Sequence, residues 1–182
     1  MAQDAAQGTA EGWRIATING LLLAAYFVPT WTISALRVVI YPLHGIYERS
    51  HVGPVRFVNE TFQLSMLGTM RFAWLFVLAK LVVAGAFVLF SVLTFRAREP
   101  DHSAGDEALA LAVTIGCLIS MGGAVAASLI GETDALRLHA TEALMMLGAL
   151  GLLVVDSHSY GVPRRDSVPV AAPVFEPLAE AA

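Results

Sequence analysis

The stretch Ala108 to Gly131, ALALAVTIGCLISMGGAVAASLIG, decides the fold. It contains no acidic residue, no basic residue and no histidine, and Glu107 and Glu132 bracket it. Coiled as an α-helix at 1.5 Å per residue it covers about 36 Å, more than the ~30 Å of hydrocarbon in a bilayer. Three other runs are mainly apolar and close to the roughly 20 residues that a membrane helix needs. Ile15 to Leu36 is uncharged between Arg14 and Arg37. Phe72 to Phe95 lies between Arg71 and Arg96 and is interrupted only by Lys80. Leu138 to Val155 is shorter and carries His139 and Glu142 near its start. The expectation is an all-α integral membrane protein whose four transmembrane helices (15–36, 72–95, 108–131 and 138–155) alternate in direction as an antiparallel bundle. An even number of spans puts both termini on one side.

The whole chain agrees with that reading. Of its 182 residues 57% are hydrophobic and only 14% charged, against about 25% charged in an ordinary soluble domain. The mean hydropathy is +0.67 and the formal net charge −4. These values exclude a disordered protein, a disulfide-rich secreted module and a nucleic-acid binder. The single cysteine, Cys117, sits inside an apolar run, so the chain can form no intrachain disulfide or thiolate metal centre, and burial in lipid is expected for it. All but one of the 11 basic residues are arginine, which with the abundance of Ala, Leu and Val points to a GC-rich bacterial genome and hence to an inner membrane.

The ends differ from the middle. Residues 1–12 are acidic and rich in small side chains, without the positive region of a cleaved signal peptide, and are expected to be flexible. Residues 13–155 form the transmembrane domain. Residues 156–182 hold Pro163, Pro169, Pro173 and Pro177 and read as a Pro-rich disordered tail.

Of the connections, the stretch from Arg37 to Arg71 stands apart because it is long yet keeps many apolar residues. Tyr41-Pro42 ends the first helix. Beyond Gly53-Pro54, the residues Arg56, Asn59, Glu60 and Gln63 repeat with helical spacing on one face, and Val55, Val58, Phe62 and Met66 on another. This predicts an amphipathic helix at the membrane interface or capping the bundle, the alternative being an extension of the second span. Trp31 and Tyr47 are placed in the aromatic belt. Arginine does not orient the chain: Arg14, Arg96, Arg98, Arg164 and Arg165 on one side balance Arg37, Arg49, Arg56, Arg71 and Arg137 on the other.

A few polar residues fall inside the spans. Lys80 is the only lysine, and a charge near the centre of a membrane helix costs about 3 kcal/mol on insertion scales. His139 and Glu142, three residues apart, share one helix face. Counted from Arg71 and Arg137, Lys80 and Glu142 differ in depth by about 6 Å on helices running the same way. Lys80, His139 and Glu142 are therefore expected to form an intramembrane polar cluster, with Lys80 and Glu142 within salt-bridge or water-bridged reach. Ala112, Gly116, Ser120, Ala124 and Ser128 recur every fourth residue as a small-residue ridge for helix packing, within the chain or between copies.

The pattern supplies no catalytic constellation and no metal or cofactor site, since di-iron bundles need repeated Glu-x-x-His motifs and only one His-x-x-Glu occurs. The leading expectation is a non-enzymatic accessory or structural subunit of an inner-membrane complex. Its partners would be the lipid bilayer and another membrane protein or a second copy. An alternative is a small ion- or proton-coupled transporter using Lys80, Glu142 and His139, and a second alternative is a quinone- or haem-binding redox subunit.

Overall fold

The computed structural model describes residues 15–96 and 103–160, and within them every regular element is helical. The elements are α1 (Ile15–Ile40), α2 (Pro42–Gly45), α3 (Arg49–Phe62), α4 (Met66–Arg96), α5 (Ser103–Leu129) and α6 (Thr133–Tyr160). Four of them, α1, α4, α5 and α6, are long and apolar enough to cross a membrane. Each extends beyond the apolar run that predicts it at one end or both, because a helix tolerates polar residues in its end turns, whereas α5 stops at Leu129, two residues before the end of its run. Residues 1–12 and 161–182 lie outside the described residues, whereas 156–160, expected to begin the disordered tail, are the last turn of α6.

The long helices pack around aromatic and small side chains. Leu23, Phe27 and Trp31 of α1 meet Val83, Phe87 and Phe90 of α4, Leu109, Ala112 and Val113 of α5, and Met146 and Ala149 of α6. Phe27 stacks on Phe87 with ring centroids 5.8 Å apart and meets Trp31 edge-on at 5.1 Å. Lipid tails are as apolar as these rings, so between membrane helices it is close van der Waals contact that supplies the attraction. Cys117 belongs to this core and is buried by protein, correcting the expectation that it faces lipid.

On α5, Ala112, Gly116 and Ser120 are buried, whereas Ala124 is half-buried and Ser128 exposed. A repeat of four residues on a helix of 3.6 per turn drifts by about 40° per step. The expected ridge therefore rotates out of the interface after Ser120, and Gly123 and Ala127 take its place.

The segment between α1 and α4 folds back on the long helices. Pro42 interrupts α1, the short α2 turns the chain, and α3 starts after Glu48. At its other end Gln63 adopts a left-handed conformation (φ 47°) and two non-helical residues follow, so α3 is separate from α4. Of the predicted apolar face of α3, Val55 is buried and Val58 half-buried, and the rest of the buried face is different. Ser50, His51, Gly53, Pro54 and Val55 are buried, while Phe62 and Met66 are exposed. Gly53 explains the choice: a Cβ there would lie 3.0 Å from the Ala127 Cβ, so its missing side chain lets α3 cross α5 closely by its N-terminal half.

Candidate functional site

A buried polar centre draws one or two residues from each of five helices. Trp31 comes from α1, Ser50 and His51 from α3, Lys80 from α4, Ser120 from α5, and His139 and Glu142 from α6. Lys80, His51, Ser120 and His139 are fully buried and Glu142 is 1% exposed.

The position of Lys80 follows from a proline. Pro54 has no N–H to donate to the carbonyl four residues back, so the Ser50 carbonyl loses its helical partner. The Lys80 ammonium donates to that carbonyl at 2.9 Å. It also lies 5.4 Å from the Trp31 ring centroid and 5.0 Å from that of Phe76. Such cation–π contacts contribute about 2 kcal/mol each when desolvated. One carbonyl and two aromatic faces thus replace the hydration of the ammonium.

Glu142 is held by three donors. The Trp31 indole N–H donates to Oε1 at 3.0 Å, and the Ser120 hydroxyl to Oε2 at 3.1 Å. His139 Nδ1 lies 3.2 Å from Oε2, and with an ionised carboxylate this nitrogen carries the proton. Gly123 makes room for the ring, since a Cβ there would fall 2.8 Å from His139 Cδ2.

Lys80 and Glu142 form no direct ion pair among the described residues, although each charge acts on the other. Trp31 stands between them. Its electron-rich face meets the ammonium and its N–H meets the carboxylate, so each charge polarises the indole in the sense that strengthens the other contact. Trp31 is 1% exposed, which corrects its placement in an aromatic belt, whereas Tyr47 is exposed. Ser120, singled out for packing, is also a hydrogen-bond donor to the centre.

His51, assigned by sequence to a connection, lies edge-on to Phe76 with centroids 6.0 Å apart, its Nδ1 2.9 Å from the Ser50 hydroxyl. Burial, then the nearby Lys80 charge, push its pKa down to about 3, so it is neutral at physiological pH. Its one sequence signal is its position one turn after Glu48 and three residues ahead of Pro54, in a stretch too polar to be read as a span.

Surface ion pairs surround this end of the molecule. Arg37 pairs with Glu48, Arg49 with Asp134 at 3.5 Å, and Arg56 with both Glu132 and Glu60. They tie the connection to the ends of α1 and α6 and to the turn before α6. Among the described residues no group of three His, Cys, Asp or Glu side chains is arranged to hold a metal ion. The chain matches no family model, no curated protein and no solved structure.

Proposed function

We propose that this is a small bacterial inner-membrane protein that handles protons or ions at the centre built by Lys80, Glu142, His139 and His51. In this reading the long helices form an antiparallel four-helix bundle and α3 lies at the membrane interface, folded onto it. The observation that carries it is the burial of these four ionisable side chains together, among helices that offer no bulk water. Ionisable groups inside membrane helices are costly, and they mark ion paths and proton relays as a rule. Proton flux into proteoliposomes tests it: loss of flux with Lys80→Met and with Glu142→Gln supports the proposal, and unchanged flux in both removes it.

A second reading, a non-enzymatic accessory subunit, draws on a different observation. Two apolar grooves flank α1, one against α4 along Ala25, Pro29 and Val92, the other against α6 along Asn19, Tyr26 and Gly148. Grooves of this kind accept a neighbouring helix, and an amide such as Asn19 can hydrogen-bond across the contact. Co-purification in a gentle detergent followed by native mass spectrometry tests it, and a strictly monomeric, partner-free protein would count against it.

A further inference from the structure

Among the described residues, three buried side-chain atoms have no hydrogen-bond partner: Oε2 of Glu48, Nε2 of His51 and Nε2 of His139. The first two belong to residues one helical turn apart at the start of α3, on the same face. Glu48 straddles the surface. Its Oε1 pairs with Arg37 outside, its side chain is 28% exposed, and its Oε2 is turned inward. His51 is fully buried. Polar groups run inward from Arg37 to Glu48, and again from His51 through Ser50, whose hydroxyl meets His51 and whose carbonyl holds Lys80, so that one step, from Glu48 to His51, separates the surface pair from the buried centre. On the α1 and α4 side, Phe27, Phe87 and Phe90 close the centre with aromatic rings that are at most 1% exposed.

We infer that Glu48 and His51 form a water-binding site at the start of α3, through which the buried centre meets the aqueous phase on that side alone. An ionised carboxylate only accepts hydrogen bonds, whereas an imidazole Nε2 accepts or donates according to its tautomer. Water donates to the one and serves the other in either tautomer, and a buried water of this kind typically makes 2–4 hydrogen bonds. This inference rests on the proton-handling reading for its purpose but not for its test.

The test is water-to-protein magnetisation transfer by solid-state NMR on the full chain in lipid bilayers, with labelled histidine and methionine. The His51 ring should receive magnetisation from water several-fold faster than the Met146 methyl, which is equally buried in the apolar core. Glu48→Leu should slow that transfer to the Met146 rate, and Glu48→Gln, which keeps the shape and an acceptor, should retain most of it. Transfer to His51 as slow as to Met146 in the unaltered protein overturns the inference. Flux separates it from the reading above. Flux abolished by Glu142→Gln but untouched by Glu48→Leu removes the access site and leaves the centre. Fast transfer to His51 without any proton flux keeps the site and removes the proton-handling reading.

Discussion

Arg37, Arg49 and Arg56 at the α3 end, and Lys80 among the long helices, are cations placed near carboxylates, and they meet them in opposite ways. The surface arginines bind their acids directly, with water on one side: the Arg49 and Asp134 side chains are 76% and 56% exposed. Lys80 and Glu142 are stripped of water and do not touch. Each is solvated instead by neutral groups, a carbonyl and aromatic faces for the cation, and N–H and O–H donors for the anion. At the surface, water screens the charges and the pair contributes little. In the interior the cost of removing water is several kcal/mol per ion, and ordered dipoles must replace it. Direct contact is therefore a poor guide to the strength of a charge interaction here, and the number of fixed dipoles around each charge is a better one.

The sharpest way to break this contrast is to remove one buried charge. Lys80→Met or Glu142→Gln alone should destabilise the protein by about 3–5 kcal/mol, as unmatched buried charges do, and the double replacement should be milder than the worse single one. Denaturant unfolding in mixed micelles measures it, and fully additive losses would mean that the two charges are independent. The role of the proline sharpens the point: in a Pro54→Ala background, where Ser50 regains a backbone donor, Lys80→Met should cost less than in the natural sequence.

Trp31→Phe tests the bridging ring itself. It keeps an aromatic face for Lys80 but removes the N–H from Glu142, with an expected loss of about 1.5–3 kcal/mol, the value of a hydrogen bond to a charged group. A loss confined to within about 0.5 kcal/mol, the range of an inconsequential surface substitution, would remove Trp31 from the centre.

Acid separates the two regions as well. His51 titrates near 3 in the folded chain against 6.5 for an unperturbed imidazole. Below pH 6.5 the unfolded chain therefore binds a proton that the folded chain does not. Stability falls as the pH drops from 6.5 toward 3, with a contribution from His51 of up to about 1.4 kcal/mol per pH unit. His51→Phe should flatten the pH dependence of the unfolding midpoint over that window, and an unchanged slope would assign it to other groups.

The smallest effect belongs to the rim. Asp134→Asn, which breaks the exposed pair with Arg49, should change stability by less than about 1 kcal/mol, and the change should vanish in high salt. A loss as large as that from Lys80→Met would erase the distinction between surface and interior.

The sequence by itself determines the four long apolar helices, because mainly apolar runs long enough to cross a bilayer have few other uses. It also determines that Lys80, His139 and Glu142 are the exceptional residues, because a charge inside such a run is expensive wherever it points. The tertiary structure decides what answers those charges. Trp31, near other aromatic and β-branched residues at a helix end, reads as an interfacial anchor, and nothing local shows that its N–H reaches a carboxylate on α6, 111 positions away. His51 lies outside every apolar run, and only the crossing of Gly53 over Ala127 draws it inside. The small-residue ridge is legible as a ridge, but how far it stays in contact depends on the drift of 3.6 residues per turn against the neighbouring helix. Periodicity is a property of one segment, whereas the partner of a buried polar group depends on which faces of distant segments meet, and packing alone sets that.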